Sequence, residues 1–318
     1  MDAQRNNLDV LCVGTAAYDL IFSVDDHLQP DEKRAASDLV RCGGGPAANA
    51  AVTVSRLGHS AAFAGYLGED PFGDENLKEL AAAGVQTDLI ARGSRPTPLS
   101  VVLVKPDGRR SLVYFRGQNG HLPPGIIDFS RVSPKIILID GHEPLISTPL
   151  ADTARKRGIP IILDAGSVQQ GTVELANRCD HLVCAMKFAL DYSGAEDEEE
   201  ALDRLAALAP TVVITLGNQG LVWARGNERG RQPAYAVNAV DTTGAGDVFH
   251  GAYAAALIKN MDWLDTLHYA SAAAALCCTK MGARLGVPSK REIEAFLAGD
   301  PLPRGALPTG SALPTGSD

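Results

Sequence analysis

The densest cluster of chemically useful residues is Val240-Asp-Thr-Thr-Gly-Ala-Gly-Asp-Val-Phe-His-Gly251. It follows a strand-like run at residues 234–240, and the spacing predicts a helix from there to about Lys259. A glycine-rich turn at a helix start binds anions, because the first N–H groups of a helix lack internal partners and lie at the positive end of its dipole. Gly244 and Gly246 flank Ala245 and let the backbone approach a bound group closely. Asp247 sets this turn apart. A carboxylate there would repel a resting pyrophosphate, yet it suits a reaction in which a hydroxyl loses a proton while nearby N–H groups hold phosphate oxygens. The plainer reading of Asp247 is a capping acid at a helix start. No Gly-Lys-Ser/Thr phosphate loop occurs, which argues against a P-loop enzyme.

A second stretch, Cys42-Gly-Gly-Gly-Pro-Ala-Ala-Asn49, puts three glycines before a helix start. Bare backbone of this kind lets a polyol lie against it, and Asn49 offers both a donor and an acceptor to hydroxyls.

The elements that must position these turns alternate. Apolar runs at residues 10–14, 136–140, 159–164, 181–185 and 211–217 read as buried parallel strands. Helical stretches at 46–57, 74–83, 149–157 and 198–209 suit crossovers between them. An α/β sheet covered on both faces is expected. Two segments, 21–41 and 97–116, break the rhythm. The second contains a hairpin signal, Pro106-Asp107-Gly108, and the pair reads as a small sheet beside the cleft, either a lid or a surface hairpin without function. An exposed edge of that sheet is a place for a second copy to pair, so a homodimer is expected. Residues 305–318 repeat Ala-Leu-Pro-Thr-Gly-Ser and read as a disordered low-complexity tail after a domain at 8–304.

Composition narrows the class. The 318 residues are 45% hydrophobic and 21% charged, as in ordinary globular proteins. Net charge is −9, the wrong sign for a nucleic-acid partner. Six cysteines show no metal spacing, and no apolar segment is long enough to cross a membrane, so a cytoplasmic location is expected.

Together the two glycine stretches resemble the two signatures of the PfkB (ribokinase-like) carbohydrate kinases. Residues 44–68 carry Asn49, Gly58 and Gly68 at the offsets of the first, residues 241–254 carry the second, and the similarity runs from Val10 to about Phe296. The resemblance implies a three-layer α/β/α fold with a mainly parallel sheet and a small β lid. It implies Asp247 as general base and the Gly244, Ala245, Gly246 backbone as anion hole, with a sugar on Asp19, Gly44, Gly45 and Asn49. It implies ATP, with Mg2+, against Thr215, Gly217 and Gly220, and an adenine wall at 272–282 that includes Ala274 and Cys278. Asp241 and Thr243 resemble the start of a monovalent-cation (K+) site.

Three departures bear on substrate. Where many members carry Asn-x-x-Glu, this chain has Cys184-Ala-Met-Lys187, which weakens the magnesium assignment; Lys187 reads as a phosphate contact or a solvated lysine. Lys33, Tyr114 and Arg116 fall on expected lid strands, and His142 or Asp140 lies where some members contact the sugar, so a cationic lid would favour an acidic or phosphorylated sugar. The motif spelling is similar to that of sulfofructose kinases, then ketohexokinases, but Tyr114 and His142 occupy the positions where a sulfonate-binding Asn and Arg are expected. The leading expectation is an ATP-dependent kinase acting on a primary hydroxyl of a ketose or pentose. A sensing paralogue without catalysis, or a dinucleotide oxidoreductase, are the alternatives; the second lacks a Gly-x-Gly-x-x-Gly turn after the first strand.

Overall fold

Strict alternation organises the central strands. Val10 and Cys12 pack into one hydrophobic core and Leu11 and Val13 into the other, and Ile136 and Leu138 are divided from Ile137 and Ile139 in the same way. A strand apolar on both faces must be covered on both, which gives the layered fold. The computed structural model describes residues 6–117 and 120–299. The expected tail at 305–318 lies outside the described residues.

The elements are β1 (Asn6–Val13), β2 (Ala17–Ser23), β3 (Asp38–Gly44), α1 (Pro46–Arg56), β4 (Ala61–Gly68), α2 (Pro71–Ala82), β5 (Ile90–Gly93), β6 (Leu99–Val104), β7 (Arg110–Phe115), β8 (Val132–Ile139), α3 (Pro144–Lys156) and β9 (Ile161–Ala165). Then follow α4 (Gln170–Leu175), β10 (His181–Ala185), α5 (Met186–Ser193), α6 (Glu198–Leu205), β11 (Thr211–Thr215), β12 (Leu221–Arg225), β13 (Glu228–Gln232), α7 (Ala245–Ile258), α8 (Trp263–Cys277), α9 (Ala283–Gly286) and α10 (Lys290–Leu297). A nine-stranded sheet has the order β13-β12-β11-β10-β9-β8-β1-β4-β5. It is parallel except where β12 and β13 run antiparallel at one edge. Helices α1, α7 and α8 supply residues to one core, and α3, α5 and α6 to the other.

The two segments expected to form a small sheet do so: β3-β2-β6-β7 make a separate four-stranded sheet. It starts earlier than expected, at Ala17, and ends β3 at Gly44, so Asp19 and Gly44 belong to it. The hairpin closes as its turn residues require, with Gly108 at φ 76° and its N–H donating to Lys105 O at 2.9 Å.

Four expectations need correction. Residues 234–240 form no strand; Pro233 follows the last residue of β13 and has no N–H to give a neighbour, and Val240 N instead donates to Cys278 O at 2.7 Å. Lys33 is not on a strand but exposed in the polar connection from β2 to β3, where Asp31 takes φ 62°. Helix α3 starts at Pro144, with Pro149 inside it rather than opening it. Strand β4, an interior strand, was not expected because its Ala- and Gly-rich sequence lacks β-branched residues; a side chain at Gly65 would overlap Gly14 O.

Candidate active site

The two glycine signatures meet. Asn49 Nδ2 donates to Asp247 Oδ2 at 2.8 Å across 198 residues of chain. Asn49 is buried on α1, which begins where Pro46 occupies the first helical turn after Gly45 at φ 94°. Its Oδ1 is buried with no partner among the described residues, an acceptor open to a hydroxyl. Asp247 stands in the first turn of α7, after Gly244 at φ 77°. A side chain at Gly244 would overlap Ala283, so that glycine is required by the fold. At Gly246 an added Cβ would meet nothing within 4 Å. That glycine leaves open the space in front of the helix start, where unpartnered N–H groups suit an anion.

Asp19 reaches the site from the middle of the smaller sheet, between Cys42 of β3 and Ser100 of β6. A side chain at Gly44 would overlap its carboxylate. Arg284 buttresses this stretch from behind, its Nη1 donating to Asn76 Oδ1 at 2.8 Å and to Glu79 Oε2 at 3.1 Å, while Gly43 N donates to the same Glu79 oxygen at 2.7 Å. Burial raises the Asp19 carboxyl to about 6, against a hydrogen bond from Ser100. Burial likewise raises Asp247, partly opposed by the bond from Asn49.

Behind the turn lie further acids. Asp140 is buried, and although burial disfavours its charge, His142 and the N–H groups of Thr15 and His142 hold its carboxyl below the usual range. His142 Nδ1 is 3.2 Å from Asp140 Oδ1; burial alone would lower the imidazole, but this neighbour raises it. Asp164, at the carboxyl end of β9, is raised by burial, with Asp247 adding to the effect. Arg116 pairs with buried Glu143 at 2.6 Å, so its charge is spent on that partner. Tyr114 brings its hydroxyl to Thr15, and burial raises it to about 12.

On the side expected for the nucleotide, Thr215 ends β11 and donates to Cys184 O at 3.2 Å. Gly217 opens a single 3-10 turn and is exposed, with nothing within 4 Å of an added Cβ. A side chain at Gly220 would overlap Gln232 O, so Gly220 serves the chain turn itself. Ala274 and Cys278 are half-buried at the end of α8, and Cys278 O accepts from Val240 N and Asp241 N. Lys187 is exposed and pairs with Asp191 of its own helix at 2.6 Å, the solvated reading of that residue. Asp241 is fully buried and accepts from Thr243 N at 2.8 Å, Thr243 Oγ1 at 2.6 Å and Gly282 N at 2.9 Å. Among the described residues no group of three or more His, Cys, Asp or Glu side chains is arranged to hold a metal ion, and no helix is long and apolar enough to cross a membrane.

Sequence reading missed Asp164, His250, Arg110 and Arg284. Asp164 carried a usable signal, since it ends a predicted parallel strand and ligands bind at such ends. Arg110 lies on β7 within electrostatic reach of both Asp19 and Asp247.

A glycine turn bearing a buried carboxylate at a helix start, at the carboxyl edge of a parallel sheet and faced by a second small sheet, suits a phosphotransferase with an alcohol acceptor. The chain belongs to the pfkB family of carbohydrate kinases, whose model matches residues 7–290. It is 29% identical to the ribokinase of Haemophilus influenzae over 92% of this chain and 99% of that protein. The ribokinase of Bacillus subtilis is 28% identical over 91% of this chain and 99% of its own length. Among solved structures, a Thermotoga maritima ribokinase superposes with a TM-score of 0.81 at 29% identity, covering 92% of this chain and 99% of that chain. The Arabidopsis thaliana ribokinase complexed with ribose and ATP gives 0.79 at 27% identity, covering 91% and 98%. The protein is an ATP-dependent carbohydrate kinase.

Proposed function

We propose that the substrate is ribose or a closely similar neutral pentose, phosphorylated at its primary hydroxyl. The observation that carries this reading is the Asn49–Asp247 bond at the start of α7, with Asn49 Oδ1 left open for a hydroxyl. Asp247 takes the hydroxyl proton as the oxygen attacks the γ-phosphorus, the bond from that phosphorus to the β,γ-bridging oxygen breaks and ADP leaves, and the N–H groups of residues 244–247 meet the charge on the transferring phosphoryl group. Asp19, Gly44, Gly45 and Asn49 hold the sugar. ATP brings Mg2+ with it as part of the substrate, against Thr215, Gly217 and the end of α8.

Neutrality of the sugar is supported by charge. Arg116 is paired with Glu143, Lys33 is on an exposed connection, and exposed Arg110 lies within electrostatic reach of the carboxylates of Asp19 and Asp247. An acidic sugar would enter a site already rich in carboxylate. His142, held by Asp140, is the residue expected to discriminate among sugars. A coupled ADP-release assay over pentoses, ketoses, nucleosides and acidic sugars tests the reading; ribose should give the highest kcat/KM, and a phosphorylated or carboxylated sugar in that place would overturn it.

Because Asp247 works in its ionised form and burial raises its carboxyl, activity should fall at a higher pH than an ordinary carboxylate of about 4 would dictate. The acid limb of kcat/KM should therefore lie above the ordinary carboxylate range. A profile flat down to pH 4.5 would contradict this.

Potassium should raise turnover. Asp241 is a fully buried carboxyl group whose hydrogen-bond donors are all neutral, and no cationic side chain compensates it among the described residues. A monovalent cation at Asp241 and Thr243 would supply that compensation and steady the turn that follows. Equal rates in potassium, sodium and tetramethylammonium salts would count against it.

A second copy is the proposed cover for the smaller sheet. Its edge strand β7 exposes Leu112, Val113 and Phe115, with Val113 71% exposed. Light scattering should give the mass of a dimer, and Val113→Glu should shift it to the monomer.

A further inference from the structure

His250 lies on α7 one turn beyond Asp247 and is only 4% exposed. Its Nδ1 is 2.6 Å from Gly246 O, and its Nε2 is 3.1 Å from Val183 O on β10. Both of those oxygens are carbonyls, which accept and never donate, so in a hydrogen bond to either one the ring nitrogen is the donor. Asp164 Oδ2 stands 3.3 Å from the same Nδ1 and has no hydrogen-bond partner among the described residues. The imidazole is therefore fastened at both ends, to β10 and to the turn, with a buried carboxylate from β9 alongside.

The consequence runs through one peptide unit. Gly246 C=O and Asp247 N–H belong to the same planar amide, so whatever fixes the carbonyl fixes the direction of the N–H. That N–H is among the donors at the helix start that face the transferring phosphoryl group. A hydrogen bond donated to the carbonyl also polarises the amide and makes its N–H the stronger donor. We propose that His250 is a positioning residue for phosphoryl transfer, holding the Gly246–Asp247 peptide so that its N–H and the Asp247 carboxylate keep their places. The Asp164 carboxyl lies beside the same Nδ1. The inference rests on the site assignment of Asp247 and the turn, though not on which sugar is used.

Two substitutions separate the ring's two contacts. His250→Asn keeps an amide nitrogen near Nδ1, where it can donate to Gly246 O. His250→Gln keeps one near Nε2, where it can donate to Val183 O. If the turn contact matters, kcat should drop roughly 10- to 100-fold in the Gln variant, the scale of a misdirected oxyanion donor, while the Asn variant recovers most of that loss. The KM for sugar should stay within a fewfold in both, since Asn49 and Asp19 are untouched. A second readout needs no turnover: calorimetry with ADP and with a non-hydrolysable ATP analogue. The preference for the analogue should shrink in the Gln variant and persist in the Asn variant. A role in core filling alone would make both variants track their melting temperatures, with Gln, the larger side chain, the better of the two. Equal kcat, or equal nucleotide preference, in the two variants would overturn the proposal. Failure of the site assignment would look different, because the wild-type protein itself would then show no preference for the analogue over ADP and Asp247→Asn would retain its rate, and that result would also refute the positioning role.

Discussion

Asp247→Asn should lower kcat by roughly 10²–10⁴, equivalent to about 3–5 kcal/mol in the barrier, while sugar and ATP still bind. The substitution keeps size and shape and removes the carboxylate proposed to accept the proton. The donor that now meets Asp247, Asn49 Nδ2 at 2.8 Å, can still find the amide oxygen, so the link between the two signatures survives. Removing a buried carboxylate whose ionisation is already disfavoured by burial should not destabilise the fold, and the melting temperature should hold or rise. Its acid limb should also disappear from whatever rate remains, because the titrating group is gone. The measurement is kcat with calorimetric affinity for both substrates. An Asn variant with near wild-type turnover would reduce Asp247 to an acid matched to the helix dipole, and the base would have to be sought elsewhere.

The parts of this site that were readable in the sequence are those written in contiguous residues. A turn such as residues 241–247 announces itself because glycines, a helix start and an acid must all lie within one stretch to build it. The triple glycine ahead of Asn49 is legible for the same reason. Asp164, His250 and Arg284 are not, since each has partners far along the chain, Val183 O for His250 at 67 residues and Gly44 O for Arg284 at 240, in contacts that only the topology creates. His250 in particular looks like one more member of an apolar core helix, between Phe249 and Gly251. Elements failed for matching reasons. Strand β4 is small-residue-rich because it must pass close to Gly14, and residues 234–240 alternate like a strand but have no neighbour to pair with. Lys33 was assigned to the smaller sheet by its position between apolar runs, yet Pro30 and a left-handed Asp31 make that stretch a connection.

Gly246→Ala should move stability and activity in opposite directions. Position 246 is in the first turn of α7, exposed, with ordinary helical backbone rather than the positive φ of Gly244. Replacing a helical glycine by alanine usually stabilises by about 0.5–1 kcal/mol, because the unfolded chain loses freedom. An added Cβ meets nothing within 4 Å, so no clash offsets that gain. The melting temperature should therefore stay or rise by roughly 1–3 °C. The same methyl group enters the open space before the helix start, where, on the proposed mechanism, the terminal phosphate approaches the N–H groups. Loss of that approach should cost roughly 10²–10³ in kcat, the usual effect of one missing oxyanion donor, and Gly246→Val should cost more. Gly244→Ala is the contrasting case: its φ of 77° and the overlap with Ala283 predict a destabilised protein rather than a stable, inactive one. Paired melting curves and initial rates decide the matter. A Gly246→Ala protein as active as the wild type would mean that the phosphate does not rest on this turn, whatever Asp247 does beside it.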